Sequence, residues 1–348
     1  MEDIVEAALD HAAAEQRDAE RDEAASEFGP PQAAVIGCGA AGGERVGRVT
    51  TTYRAVDDVR ETVLTAVSVS GGGGDDGGRD GDGHPPHVHG IDDTLVWEAP
   101  VTDDPPTRAA PATDPPDRLV SLVEAADIHV LTGALGDSTA RRLLRRTTAL
   151  AAREDAPSVV IPTLPADSMD SSVRDALTAL RSTADCLVPV DPGQLPPAPG
   201  AGSGQPPVAG VTDQLVSAVL GSTSSSMAFP VDLATLHDLF SAGHVAVPVV
   251  AAVDYDAPLV RSPPDRDAVE ASLRTCYDGA GLSLSSSPQG WLAYLVAGDD
   301  LTLGAFQRLE RTLSEVLVDD ADVPSVRGGH IEASRDGTGL LSCFVLYE

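Results

Sequence analysis

The residues best arranged for chemistry lie in the stretch Ala126-Asp-Ile-His-Val-Leu-Thr-Gly-Ala-Leu-Gly-Asp-Ser-Thr-Ala-Arg-Arg142. A β-rich run, Ile128 to Leu131, breaks into a glycine-bearing turn, Gly133 to Gly136, and then into the polar start of an arginine-studded helical pattern reaching about Arg153. In an α/β protein such a loop sits at the carboxyl end of a parallel strand, where backbone N–H groups and the positive end of the helix can meet a phosphate. This loop is where a nucleotide would sit. Asp137 opposes it, because a carboxylate in that loop repels a triphosphate unless an ion bridges the two.

A second loop of the same kind is Ala33-Ala-Val-Ile-Gly-Cys-Gly-Ala-Ala-Gly-Gly-Glu-Arg-Val-Gly-Arg48, read as strand, glycine loop and helix, with Gly37, Gly39 and Gly42 in G-x-G-x-x-G spacing. Dinucleotide-binding domains share that spacing and place an acidic residue roughly twenty positions on to hold the ribose. Asp57 and Asp58 stand there, so on this loop alone a dehydrogenase remains open. His84, His87 and His89 form H-x-x-H-x-H, a pattern able to ligate zinc or nickel as neutral imidazoles. They lie in a proline-bearing polar segment, for which a solvated loop is the favoured reading, and no metal site is expected.

The elements that must position these loops follow from composition. The 348 residues suffice for two domains with separate cores, and with aromatic residues at 3% those cores are built from Val, Leu, Ala and Ile. The balance of 54 acidic against 23 basic residues gives a net charge of −31, and the sequence contains no lysine. Such composition is a haloarchaeal trait, since acidic surfaces stay hydrated in concentrated salt while screening weakens their self-repulsion. It argues against nucleic acid or an anionic membrane as a direct partner. Cys38, Cys186, Cys276 and Cys343 stand singly, as small buried hydrophobes rather than a disulfide framework. The acidic N-terminus lacks a signal-peptide pattern and no apolar run spans a bilayer, so a cytoplasmic location is expected.

Residues 1–30 hold a short amphipathic helical pattern, with Ile4, Val5, Ala8, Leu9 and Ala12 at helical spacing. From about Ser68 to Pro116 the chain turns to Gly, Asp and Pro and reads as a disordered insertion, with a short strand at Ile91 to Glu98 inside it. Ser158 to Ile161 reads as a buried strand. Gln194 to Pro207 is a Pro/Gly linker by composition, followed by a helix in which Leu215, Ala218, Val219 and Ser222 share one face.

Taken in order, these words resemble the tubulin/FtsZ superfamily, and the chain is identified as a divergent, archaeal member. Ala126, Asp127, Gly133 and Gly136 match its signature loop, A-G-M-G-G-G-T-G-T-G after a strand, while other glycine positions carry Leu135, Asp137, Thr139 and Arg141. The first phosphate loop is matched through Val35, Ile36, Gly37, Gly39, Gly42, Val46 and Arg48. Where the family holds ribose with glutamate and arginine, Met169 replaces the glutamate and Arg174 is one residue out of register. Val211-Thr-Asp-Gln-Leu215 aligns with the start of the central helix, whose first polar residue, here Thr212, touches guanine in the family. Trp291-Leu-Ala-Tyr-Leu-Val-Ala-Gly-Asp-Asp-Leu-Thr-Leu303 matches a C-terminal block that a dehydrogenase would not carry. Family GTPases present N-x-D-x-x-D to the nucleotide of the next subunit; here Pro230, Asp232 and Thr235 occupy those places, so one carboxylate of two survives.

The resemblance implies an α/β fold: an N-terminal doubly wound, Rossmann-like domain (31–210), a central connecting helix (211–226) and a C-terminal α+β domain (227–348). It implies a cytoskeletal or assembly protein, acting with itself or with another tubulin/FtsZ-family subunit in cell division or cell shape. Changes at phosphate, sugar and catalytic positions together imply a degraded GTP site, no cofactor and no efficient hydrolysis. Arg45, Arg141 and Arg142 are then candidates to fill the vacated site and shape an interface. The alternative is a polymerising GTPase that binds GTP and Mg2+ through Gly37, Gly39, Gly42, Gly133, Gly136, Ser138 and Thr212, with Asp232 as its catalytic carboxylate. The sequence ends at Glu348, without the adaptor-docking peptide of FtsZ, so recruitment to a membrane by that route is not expected.

Overall fold

The computed structural model describes residues 31–55, 63–71, 91–97, 114–165, 170–191, 207–222, 233–254, 288–298, 301–302, 304, 306–307, 324–331 and 338–348. The N-terminal extension, most of the Gly/Asp/Pro insertion with its three histidines, and Asp232 lie outside the described residues.

A run of apolar strands builds one ten-stranded sheet. Its strands are β1 (Gln32–Cys38), β2 (Val63–Ser70), β3 (Asp93–Val96), β4 (Ile128–Ala134), β5 (Ser158–Thr163), β6 (Cys186–Leu187), β7 (Val245–Asp254), β8 (Gly290–Ala297), β9 (Ser325–Ile331) and β10 (Thr338–Tyr347). The order across the sheet is β3-β2-β1-β4-β5-β6-β7-β10-β8-β9. From β3 to β7 neighbours run parallel. β10 is antiparallel to both β7 and β8, and β9 runs parallel to β8. Val35, Ile36, Val130, Leu131, Val159 and Val160 are fully buried, as expected of parallel strands covered on both faces.

Helices supply the two covering layers. One face carries α2 (Asp117–Ala125), α3 (Ser138–Ala151) and α4 (Ser171–Arg181), whose Leu119, Leu143, Leu144 and Leu177 close a core with Ile36, Leu131 and Val160. The other carries α1 (Gly39–Ala55), α5 (Pro207–Ser222) and α6 (Leu233–Ala242), packed through Val46, Val49, Leu215, Val219 and Phe240 onto Val35, Val130 and Phe344. The α/β class is the one expected from the sequence, but the two halves do not keep the separate cores expected of them: one continuous sheet joins them, and each core layer runs through both. No described helix is long and apolar enough to cross a membrane.

Caps fix where the helices begin. Asp137 and Asp170 stand at the N-caps of α3 and α4, and Asp170 accepts from the Val173 amide at 2.8 Å. α3 ends at Ala151, two residues before the limit the arginine pattern suggested. The glycine-bearing turn also starts later than expected. Gly133 belongs to β4, paired with Cys38 of β1 on one side and Pro162 of β5 on the other, and β5 carries the ladder one residue further, to Ala134.

Candidate functional site

After β1 the chain winds outward through β2 and β3, then returns to β4 and winds the other way through β5 and β6. The crevice at the carboxyl ends of β1 and β4 is therefore the topological switch point, where α/β sheets place ligands. Both loops singled out in the sequence meet here. Gly39 follows β1 with φ +74°, a left-handed conformation natural to glycine, and a Cβ there would lie 2.6 Å from the Cβ of Ala140 on α3. Gly37 and Gly42 face each other across the same turn, and a Cβ on Gly42 would lie 2.8 Å from the Thr132 carbonyl. Close backbone packing thus accounts for these glycines without a ligand.

The β4–α3 loop makes its own polar contacts. The Leu135 amide donates to the Thr163 carbonyl at 2.9 Å, and the Asp137 amide to the Ala134 carbonyl at 3.2 Å. The Asp137 carboxylate accepts from the amides of Thr139, at 2.8 Å, and Ala140, at 3.3 Å. A negative charge already sits on the amides and positive dipole of the α3 N-terminus. Gly136 and Ser138 are exposed beside it. Sequence reasoning treated Asp137 only as a repellent; an aspartate just before Ser-Thr at a helix start was a readable N-cap signal.

The arginines fold inward. Arg141 is 7% exposed and its Nη1 donates to the Leu135 carbonyl at 2.7 Å, tying α3 back onto the loop that precedes it. Arg142 is half-buried and donates to the Thr139 hydroxyl at 3.3 Å. Arg45, 5% exposed, crosses the carboxyl ends of two strands, donating to the hydroxyls of Thr132 on β4, at 2.7 Å, and Thr163 on β5, at 2.8 Å.

Behind Arg45 stands a contact the sequence did not reveal. Asp213 of α5 accepts from Arg48 Nε at 2.8 Å and Nη2 at 3.3 Å, and lies 3.8 Å from Arg45 Nε. Thr212, beside it, is fully buried. Burial pushes the Arg45 guanidinium down to about 10 against the pull of Asp213, with the Arg48 charge adding to the fall. Burial also raises the Asp213 carboxyl, with the Arg48 bond and both arginine charges holding it back. Arg48 moves up, chiefly through its bond to Asp213. Two guanidiniums share the Asp213 carboxylate, and the Glu44 charge adds to the upward pull on Arg48.

The described residues contain no group of three or more His, Cys, Asp or Glu side chains able to hold a metal ion. Of the expected site residues, the structure brings Gly37, Gly39, Gly42, Gly133, Gly136, Ser138, Arg141 and Arg142 around the β1–β4 crevice. Arg45 reaches from there toward α5, which carries Thr212, and Asp232 is not among the described residues.

No family model matches the chain. Cell division protein FtsZ 2 of Halobacterium salinarum is 23% identical over 368 residues, covering 99% of this chain and 86% of the relative. Among solved structures, a point mutant of FtsZ from M. jannaschii superposes with TM-score 0.65 at 17% identity, over 95% of both chains. A GTPγS-bound protofilament of CetZ2 from Haloferax volcanii superposes with TM-score 0.54 at 14% identity, covering 91% of this chain and 93% of that one.

Proposed function

The chain is a divergent archaeal FtsZ/tubulin-like protein, and from that premise we propose that it is a cytoskeletal assembly subunit working without a nucleotide. It associates with copies of itself, or with another subunit of the same superfamily, in division or cell shape. The observation carrying this reading is the Asp137 carboxylate on the Thr139 and Ala140 amides. A phosphate bound at a helix N-terminus needs free N–H groups and a positive field. Here an internal anion uses both, and a triphosphate would add several negative charges within reach of a fixed one. The residues present do not fit the phosphates of GTP.

The inward course of Arg45 and Arg141 supports the same view. Guanidiniums that would serve an anion are committed to Thr132, Thr163 and Leu135. Self-assembly is supported by the CetZ2 protofilament among the structural neighbours. The cytoplasm is the expected place of action.

Calorimetric titration of GTP and GDP with magnesium in multimolar KCl tests this reading. No heat of binding is expected at millimolar nucleotide. Micromolar affinity for either would overturn it and return Gly136, Ser138 and Thr212 to the role of ligands, with Asp232 as the carboxylate to examine for hydrolysis.

A further inference from the structure

The chain's 23 basic residues are all arginine, and four of them fall within six positions of α3, Arg141-Arg142-Leu-Leu-Arg145-Arg146. The 14 residues of this helix include no acidic side chain. Like charges four positions apart, Arg141 with Arg145 and Arg142 with Arg146, disfavour an isolated helix. A pattern that local helix energetics oppose, in a chain of net charge −31, directs attention to what these side chains meet.

The fold itself uses two of the four. Arg141 is buried on the Leu135 carbonyl, and Arg146 lies over the Trp97 ring, 4.0 Å from its centroid. Arg145 is exposed, with half-buried Arg142 beside it on Thr139. Ser138, Arg142, Arg145 and Ala149 form one stripe at helical spacing, and the small residues at its two ends are exposed, leaving the guanidiniums open to close approach. The helices packed against α3 do not neutralise it: α2 and α4 add three arginines against Asp117, Glu124 and Asp175. Acidic residues in the adjoining loops are taken by backbone amides, Asp127 by Gln32, Asp137 by Thr139 and Ala140, and Asp170 by Val173. Glu154 and Asp155 follow only after the helix has ended.

We propose that this face of α3, centred on Arg145, is an assembly contact whose occupant is an acidic surface of a second copy of the chain. The contact rests on the assembly role proposed above and names one surface of it, with the chemistry that recognises the neighbour. Charge complementarity selects the occupant, since every copy carries 54 acidic residues against 23 basic ones. A guanidinium forks onto a carboxylate through two N–H···O bonds, and, being weakly hydrated, it keeps such a contact where longer-range attraction is screened within about 3 Å at 1 M salt. Binding to nucleic-acid phosphates draws on counterion release, which concentrated salt suppresses. An arginine face against an acidic one joins two different surfaces, so the contact is heterologous, of the kind that builds rings or open filaments instead of two-fold dimers.

Sedimentation of the full chain in multimolar KCl without nucleotide, before and after nuclease treatment, compares the parent with Arg145→Glu. The variant is expected to need at least about tenfold more protein to pellet to the same extent, because it sets like charges against each other. Arg145→Lys gives a second readout, since it introduces the only lysine in the chain. A carbodiimide, which joins an amine directly to a carboxylate, should couple that position to an acidic residue of another copy, identified by mass spectrometry in a mixture of isotope-labelled and unlabelled protein. Coupling confined to one copy, no coupling at position 145, or unchanged pelleting of Arg145→Glu would overturn the inference. So would loss of parent pelleting on nuclease treatment, which would make the face a nucleic-acid surface. A parent that pellets only with GTP would refute the nucleotide independence proposed above, and the same two variants then decide the α3 contact in the presence of GTP. A parent that stays monomeric in both conditions overturns both readings.

Discussion

Arg48 and Asp213, 165 positions apart, meet through two hydrogen bonds of 2.8 and 3.3 Å and bind the helix after the first glycine loop to the helix that leads into the second half of the chain. Removing either partner has different consequences. Arg48→Ala strands a carboxylate that burial already pushes upward, with Arg45 3.8 Å away as its remaining partner in the cluster. Because the Arg48 side chain is 38% exposed, the loss is discounted for solvent and salt to about 1–2 kcal/mol at neutral pH. Without Arg48 the Asp213 carboxyl rises further. A raised carboxyl stabilises the fold below its unfolded pKa and loses that contribution as pH rises through the folded value. The deficit of the variant should therefore be largest near neutrality and narrow as pH falls toward the carboxylate range, read from urea unfolding across pH in constant KCl.

Asp137→Ala removes the cap of α3 and is expected to cost about 1 kcal/mol, whereas Asp137→Ser, which retains a capping oxygen, should keep most of that stability. Urea unfolding compares the two. Equal losses would mean that the carboxylate serves something other than the helix amides.

Gly221→Ala places a methyl group inside Tyr294. Overpacking of this kind costs about 1–3 kcal/mol. Combining it with Tyr294→Ala should recover part of that loss, so a double-mutant cycle should return a coupling energy above about 0.5 kcal/mol.

Burial pushes the Cys38 and Cys343 thiols up to about 12 and drives Cys186 upward as well. A thiol far from its thiolate form and out of reach of solvent is a poor nucleophile. These three cysteines should remain unlabelled by a thiol reagent at pH 8 in the native protein and react on unfolding, as read by mass spectrometry of the peptides. Rapid native labelling of Cys38 would contradict the packing of β1 against Thr147, whose hydroxyl lies 3.8 Å from the sulfur.

Much of the fold could be read from residues alone because its central strands announce themselves. Val35-Ile36, Val130-Leu131 and Val159-Val160 are short apolar runs bounded by glycine, proline or charge, the signature of strands buried on both faces. The switch point was legible because each of β1 and β4 is followed by glycine and then a helix. Long-range side-chain pairing was not. Nothing in the spacing of Arg48 and Asp213 marks them as partners, since the meeting depends on how α1 and α5 pack side by side on one face of the sheet. The depth of Arg45 was not legible either: arginine is rarely buried, yet it shares a helix face with Val49, and that face is turned to the sheet. Asp137 stands where glycine-rich phosphate loops carry glycine, so its charge is the feature that the spacing brings forward first. Its local role, satisfying the amides two and three positions ahead, follows from the helix start itself.

The central claim, as proposed above, is that this FtsZ/tubulin-like chain assembles with the crevice between β1 and β4 closed by its own side chains. Sedimentation of the full chain in multimolar KCl with magnesium, over a range of protein concentrations with and without GTP, tests it most directly. The account predicts the same oligomers or pelletable assemblies in both samples. Assembly appearing only when GTP is added would contradict it.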